Sequence, residues 1–155
     1  FVCVISDVQK VIIRPIGDPR LRYQEDRLRV LRTLRFLCRY DRSKYQYDTN
    51  VSHKASLTEE TKEAILEFKA LDGVSGERIV VEFEGALRQA IYPPKYLMLC
   101  QEFGLFPAMF GKLEIDEGFL PLANSRNPIV VLALILKETN EKVLARELNA
   151  LKHQD

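Results

Sequence analysis

The stretch that decides the fold of this chain lies near its amino terminus. It reads Ile13-Arg14-Pro15-Ile16-Gly17-Asp18-Pro19, then Arg22-Tyr23-Gln24-Glu25-Asp26-Arg27-Leu28-Arg29, then Leu31-Arg32-Thr33-Leu34-Arg35-Phe36. A turn, an acidic pair and a series of arginines follow one another here. A helix that only filled space would not need this order of side chains.

The spacing of the apolar residues predicts an amphipathic helix that begins near Tyr23. Successive side chains of a helix rotate by about 100° around its axis. The side predicted to be core therefore carries Val30, Leu31, Leu34, Leu37 and Cys38. The outward side is predicted to carry Glu25, Arg29, Arg32, Phe36 and Arg39, with Asp26, Thr33 and Arg35 at its margins.

The acidic residues are predicted to lie in the first turn of this helix, where the helix dipole favours negative charge. Asp26 and Arg29 form an i,i+3 pair, so the carboxylate is expected to hold the guanidinium in place. A carboxylate accepts hydrogen bonds and a guanidinium donates them in a planar fork, so the pair can mimic the edge of a base and bind a nucleobase. The alternative is a solvated face held by salt bridges, and spacing alone leaves both open.

From Gly17 to Phe36 the chain resembles a motif of the class II (bacterial-type) tRNA nucleotidyltransferases, the CCA-adding enzymes, and of the related bacterial poly(A) polymerases. In that family the motif follows the catalytic head and reads Gly-Asp-Pro, a spacer with an arginine, Glu-Asp-Pro, two spaced arginines and an Arg-Phe pair. The chain departs from it at Arg27, where the family usually has proline in the first helical turn.

A second stretch resembles another signature of the same family, in which a serine starts a helix that carries Glu-Arg-Ile. It reads Val74-Ser75-Gly76-Glu77-Arg78-Ile79 and continues with Glu82-Phe83. The stretch also has a local interpretation, because Ser75 is placed to cap the helix and to accept a hydrogen bond from the N3 backbone N–H. The predicted apolar stripe of this helix is Ile79, Phe83 and Leu87, and Arg78 and Glu82 lie one turn apart.

The resemblance implies the site residues of this chain. Asp26 and Arg29 would read the base, Glu25 would orient them at the helix start, and Arg32 would make a further contact with the nucleotide. Supporting neck residues would be Asp18, Arg22, Glu77 and Arg78, and the basic face would bind RNA through Arg35 and Arg39. For Glu77 and Arg78, a salt bridge within the neck and a direct contact with nucleic acid remain open alternatives.

Catalysis in the family uses a Gly-Ser motif followed by paired aspartates, which hold two metal ions. The sequence contains no such motif, so we predict no catalytic and no metal-binding residue in this chain. The resemblance implies Mg²⁺ in a head that is missing here, with ATP and CTP as substrates. We expect the chain alone to be inactive. The acidic cluster Glu114, Asp116 and Glu117 is predicted to be a solvated turn.

The predicted fold class is mainly α, a helical neck and body preceded by a short β-hairpin remnant of a nucleotidyltransferase head. The hairpin strands are expected at residues 1–5 and 11–13. We assign 1–17 to the trailing strands of the head, 18–90 to a neck with the nucleobase-reading helix, and 91–155 to a helical body. Later helices are predicted at 58–71 after a Ser56/Glu59 capping box, from Ser75, and at 95–103, 128–137 and 140–152.

The composition fits a soluble domain with a real core, since 46% of the 155 residues are hydrophobic, 29% are charged and the net charge is +1. Basic residues concentrate between Arg20 and Lys44, which suits phosphate binding. The three cysteines lack metal or disulfide spacing, which predicts buried free thiols and a cytoplasmic protein. No apolar run is long enough to cross a membrane.

The sequence therefore predicts the nucleobase-selecting and RNA-binding neck and body of a template-independent nucleotidyltransferase. It would add CCA, or its A or CC part, to tRNA 3′ ends, with tRNA or another RNA 3′ end and nucleoside triphosphates as partners. Its oligomeric state stays open. Three alternatives remain: a poly(A) polymerase with the same motif, a helical module that binds RNA without chemistry, and a purely structural interaction module.

Overall fold

A computed structural model of the chain describes residues 11–43 and 54–137, together with Arg146, Asn149 and Lys152. The architecture is mainly helical, as predicted. The α-helices are α1 (Pro19–Glu25), α2 (Leu28–Tyr40), α3 (Glu59–Glu67), α4 (Gly76–Gln89), α5 (Pro93–Glu102), α6 (Phe106–Phe110) and α7 (Pro128–Ile135). A 3-10 helix, Glu117–Leu122, lies between α6 and α7, and two short strands are β1 (Ile12–Ile13) and β2 (Ser56–Leu57).

The strand predicted at 11–13 is confirmed, and it pairs in parallel with β2, Ile12 opposite Ser56 and Ile13 opposite Leu57. The predicted hairpin partner at 1–5 lies outside the described residues. Because Ser56 belongs to a strand, the predicted Ser56/Glu59 capping box is wrong. Thr58 caps α3 instead, its Oγ1 accepting a hydrogen bond from the Thr61 N–H at 3.2 Å.

Helix α3 ends at Glu67, four residues before the predicted end at residue 71. The chain then turns through Leu71 (φ 53°) and Gly73 (φ 80°), two left-handed residues that no helix can contain. Leu71 adopts this unfavourable backbone while its side chain is buried, at 3% exposure. Burial of the leucine therefore offsets a conformation that would suit glycine better.

Helix α2 lies against α4 and α5, and this contact forms the centre of the core. The predicted apolar side of α2 is confirmed, because Val30, Leu31, Leu34, Leu37 and Cys38 are all buried. On α4 the predicted stripe is buried as well: Ile79, Phe83 and Leu87. The predicted Ser75 cap is also confirmed, since its Oγ accepts a hydrogen bond from the N3 N–H, that of Arg78, at 3.3 Å.

Aromatic rings join α4 to α5 and α6. The Phe83 ring lies 6.2 Å from the Tyr96 ring and 5.3 Å from the Phe110 ring, the latter edge to face. Such geometry stabilises the core beyond the burial of apolar area alone. Phe83 thus connects the helix that carries the second signature with the helices that follow it.

Four further features were predicted from the sequence: the start of α5, the end of α7, a helix at 140–152 and the acidic cluster. Helix α5 begins at Pro93, two residues before the predicted 95, and α7 ends at Ile135, two before the predicted 137. The predicted helix 140–152 lies largely outside the described residues. In the acidic cluster, the Asp116 carboxylate caps the 3-10 helix by accepting a hydrogen bond from the Gly118 N–H at 3.2 Å.

Cys38 and Cys100 are buried free thiols, as predicted, and burial raises the pKa of both, that of Cys100 to about 12. Cys3 lies outside the described residues. None of the helices in the described residues combines the length and apolar character needed to cross a membrane.

A buried polar cluster joins the end of α2 to the first turn of α5. The Lys95 ammonium pairs with the Asp41 carboxylate and donates a hydrogen bond to Ser43 Oγ at 2.7 Å. Asp41 Oδ1 also accepts hydrogen bonds from the Ser43 N–H at 2.8 Å and from its hydroxyl at 2.6 Å. The Asp41 side chain is fully buried, so these partners have to compensate the cost of removing its charge from water.

Lys95→Met removes the cation and leaves a buried, unpaired carboxylate. We expect the free energy of unfolding to fall by about 3–5 kcal/mol, measured by urea denaturation. Lys62→Met is the matched control, because it removes a lysine whose ion pair with Glu59 is exposed, and it should leave stability nearly unchanged. Equal effects of the two substitutions would contradict this assignment.

Candidate functional site

The predicted nucleobase-reading helix is two helices with a break at Asp26. Helix α1 ends at Glu25 and α2 begins at Leu28, while Asp26 has an extended backbone (φ −153°, ψ 106°). The expectation that Glu25 and Asp26 occupy the first turn of one continuous helix is therefore wrong. Asp26 Oδ1 accepts a hydrogen bond from the Leu28 N–H at 3.1 Å. This side-chain bond takes the place of the backbone hydrogen bond that a continuous helix would give to the Leu28 N–H.

The helix before the break has its own start signal. Asp18 caps α1, because its Oδ1 accepts a hydrogen bond from the Arg20 N–H at 2.9 Å, and Pro19 occupies the first helical position. Asp18, which was predicted to be a supporting residue, thus fixes the residue at which α1 begins. The turn predicted before the helix ends where α1 begins, with Gly17 in the left-handed region (φ 76°).

A buried chain of hydrogen bonds fixes the angle between α1 and α2. The Thr33 hydroxyl donates to the Arg29 carbonyl at 2.7 Å and lies 2.7 Å from the Tyr23 hydroxyl, which must therefore donate to Thr33. Thr33 was predicted at the margin of the outward side, yet it is fully buried. Burial raises the pKa of Tyr23 to about 12, so the phenol stays protonated at neutral pH and can donate this hydrogen bond.

Asp26 pairs with Arg78 of α4. The Arg78 Nη2 group donates to Asp26 Oδ2 at 2.9 Å. Burial raises the pKa of the Asp26 carboxyl, but the hydrogen bonds from Arg78 and from the Leu28 N–H lower it more, and the net pKa is below its ordinary value. The expected Asp26–Arg29 pair is not formed, because the helix break places the carboxylate beside α4.

Arg29 pairs with Glu25 instead. Its Nη1 donates to Glu25 Oε2 at 2.7 Å and to the Arg22 carbonyl at 3.3 Å. Arg22 donates to the same carboxylate oxygen at 3.3 Å. Hydrogen bonds from Arg29 and Arg22 lower the pKa of Glu25, so this carboxylate stays ionised and orients two guanidinium groups.

Four arginines line an open cleft of about 420 Å³ beside this junction. Its walls are Pro15, Ile16, Arg22, Arg29, Arg32, Arg35 and Phe36. The structure thereby brings together residues that were predicted for nucleotide binding, neck support and RNA binding. Asp26 does not line the cleft, and Arg39 lies outside it, its guanidinium 5.5 Å from the Tyr40 ring centre at the end of α2. Glu77 lies exposed in the first turn of α4.

The anchor of the cleft is a residue that sequence reasoning did not select. Glu82 of α4 is buried at 7% exposure, and its Oε1 lies 2.6 Å from Arg35 Nε and its Oε2 3.7 Å from Arg32 Nε. The sequence places Glu82 one helical turn from Arg78 and gives no role to it. The available signal was its place inside the apolar stripe of α4, where a carboxylate needs a buried cation as partner.

The described residues contain no group of three or more metal-ligating side chains. The carboxylates nearest the cleft each pair with arginine: Glu25, Asp26 and Glu82. These residues therefore do not fit a Mg²⁺ site, and no chemical step is assigned to a metal here.

Arg27 directly follows the extended residue of the helix break, and its backbone conformation is one that proline would also adopt. Its φ of −70° matches the value that a proline ring imposes, and the extended backbone of Asp26 is the conformation preferred before proline. The Arg27 guanidinium lies 5.6 Å from the centre of the Phe68 ring, so the side chain contributes a cation–π contact instead.

Known proteins resemble the chain at the level of sequence. The mouse protein named CCA tRNA nucleotidyltransferase 1, mitochondrial, is 39% identical over 144 residues, which cover 85% of this chain and 30% of the mouse protein. The protein named CCA-adding enzyme from Bacillus licheniformis is 34% identical over 114 residues, 71% of this chain and 25% of that protein. The chain belongs to the CCA-adding tRNA nucleotidyltransferase family.

A further family member, the protein named CCA-adding enzyme from Geobacillus sp. (strain WCH70), is 38% identical over 96 residues, 61% of this chain. The chain spans only 20% to 30% of the length of these three relatives. No family model and no solved structure matches the chain.

Arg27→Pro should be tolerated, with a free energy of unfolding within about 1 kcal/mol of the parent. Proline restricts the unfolded chain, which offsets the loss of the contact with Phe68. Arg32→Pro, inside α2, is the matched control and should cost about 3 kcal/mol or more. Thermal and urea denaturation measure both, and equally severe destabilisation by the two prolines would contradict the helix break.

Arg78→Gln is expected to raise the pKa of the Asp26 carboxyl, because it removes the cation that lowers it. In the parent, Asp26 stabilises the fold above its ordinary pKa of 3.8, and this stability is lost as pH falls through the lower folded-state pKa. Carboxyl NMR titration measures the change. Arg20→Gln, whose partner is Glu67, should leave the Asp26 pKa unchanged, and a shift of equal size there would contradict the assignment.

Proposed function

We propose that this chain is the nucleobase-selecting and RNA-binding neck and body of an enzyme that adds CCA to tRNA 3′ ends without a nucleic-acid template. The observation that carries the proposal is the arginine cleft beside the Asp26 break, in a chain whose relatives are named CCA-adding enzymes. Their shared name favours CCA addition over poly(A) synthesis. The substrates would be ATP and CTP.

The cleft offers the groups that a nucleoside triphosphate requires. Guanidinium groups bind phosphate oxygens through two parallel hydrogen bonds, and Arg22, Arg29, Arg32 and Arg35 all border the same space. Phe36 adds an apolar surface on the wall of the cleft. Glu25 and Glu82 neutralise part of this charge and hold the arginines in position, so the site is organised before a ligand binds.

Asp26 and Arg29 together suit both nucleotides of the CCA sequence. Adenine and cytosine each present an exocyclic amino donor, whereas guanine and uracil present a carbonyl acceptor at the same place. A carboxylate accepts from the amino group and a guanidinium donates to the neighbouring ring nitrogen, so one pair of side chains can select A and C and disfavour G and U. Asp26 would exchange Arg78 for the base amino group when the nucleotide binds.

The domain assignment belongs to this proposal. Residues 1–17 would be trailing strands of a catalytic head, 18–90 the neck and 91–155 the body. The metal-binding carboxylates and Mg²⁺ would lie outside this chain, which alone would be inactive. The partners would be tRNA and nucleoside triphosphates, and the enzyme would act in the cytoplasm.

Asp26→Ala and Arg29→Ala in the full-length enzyme test the proposal. Each removes a hydrogen bond to a charged group, worth about 1.5–3 kcal/mol, so the preference in kcat/KM for CTP and ATP over UTP and GTP should fall about 10- to 100-fold. Arg39→Ala, which removes an arginine outside the cleft, is the matched control and should keep the preference. Unchanged nucleotide selectivity in the Asp26 and Arg29 variants would remove them from base recognition.

A further inference from the structure

A second basic cleft lies on the other side of α4. It has a volume of about 540 Å³ and carries three cationic side chains, those of Arg88, Arg126 and Lys152. Glu84 is the acidic residue that lines it, and the other walls are Val80, Asn127, Pro128 and Ile129. None of these residues was selected from the sequence, and the proposed base recognition does not use them.

The Arg126 side chain is held in place by the end of α4. Its Nη1 donates to the carbonyls of Leu87 at 3.2 Å, Arg88 at 2.9 Å and Ala90 at 2.7 Å. A cation at the carboxyl end of a helix satisfies carbonyls that lack helical partners and complements the helix dipole. All three bonds use one nitrogen, and Nε and Nη2 form no hydrogen bond with the described residues, so these two groups are available to a ligand.

Arg88 is exposed, and within the described part of the chain no carboxylate lies at ion-pair distance from its guanidinium. The Arg88 side chain also lies close to the first cleft. A Cβ added at Gly85 would lie 3.7 Å from Arg88 Nη2 and 3.9 Å from Arg35 Cδ. Gly85 is buried, and the side chains of Arg35 from the first cleft and Arg88 from the second both lie against it, so the cationic residues of the two clefts adjoin there.

We propose that Arg88, Arg126 and Lys152 form a phosphate-binding cleft for the RNA backbone. This inference rests on the proposed function and adds a path for the RNA: the strand whose 3′ end lies at the arginine cleft would cross α4 over the Arg35 and Arg88 side chains that cover Gly85, and would enter the second cleft. Phosphates repeat along a strand, and guanidinium and ammonium groups that continue from one cleft into the other can contact successive phosphates.

Arg88→Gln and Lys152→Gln in the full-length enzyme test the path, with a tRNA transcript that lacks its terminal CCA as the probe. Each lost phosphate contact should weaken binding about 5- to 8-fold at 0.1 M salt and reduce the slope of log affinity against log salt by about 0.7–0.9. Glu84→Gln should strengthen binding, because it removes the acidic residue from the cleft. Lys112→Gln, which lines neither cleft, is the matched control for charge and should leave affinity and slope unchanged.

Affinity and salt slope that match the parent in the Arg88 and Lys152 variants would overturn the proposal. Competition by polyglutamate as effective as that by the tRNA would also overturn it and would assign the cleft to an acidic protein surface. Nucleotide selectivity separates this failure from failure of the proposed function. Arg88→Gln should keep the preference for CTP and ATP, which depends on Asp26 and Arg29, and loss of that preference would place Arg88 in nucleotide recognition instead.

Discussion

The Asp26 carboxylate holds three helices of this protein together, α1, α2 and α4. One oxygen accepts a hydrogen bond from the Leu28 N–H at the start of α2, and the other accepts one from Arg78 at the start of α4. The first bond stabilises the break between two helices, and the second ties that break to a helix more than fifty positions later in the chain. The lowered pKa of Asp26 keeps both bonds available at neutral pH.

The arrangement of the arginines follows from this break. The Tyr23–Thr33 hydrogen bond fixes the angle between α1 and α2, so that Arg22 of α1 and Arg29 of α2 donate to the same Glu25 oxygen. Further along α2, buried Glu82 anchors Arg35. Burying a carboxylate costs free energy unless a cation accompanies it, so this pair specifies how α4 docks on α2. The first cleft results from these two constraints.

Local patterns predicted much of the fold. The period of the apolar residues identified the buried sides of α2 and α4, and Ser75 marked the start of α4 correctly. Helix ends were predicted less well. Thr58 caps the helix in place of the predicted Ser56, because Ser56 pairs with Ile12 in a strand. That pairing joins residues that are distant in sequence. A capping motif records a local preference, which strand pairing overrides.

The sequence by itself determined the helical class, the core-facing residues apart from Thr33, and the acids and arginines of the site apart from Glu82, since these depend on residue type and on spacing within one helix. Only the tertiary structure decided which acid pairs with which arginine. Spacing favoured a pair of Asp26 with Arg29 and placed Glu82 one turn from Arg78, whereas the structure pairs Asp26 with Arg78 and Glu82 with Arg35. The reason is that an ion pair forms where two helices bring charges together, and the docking of α4 on α2 brings these groups within hydrogen-bond or ion-pair distance.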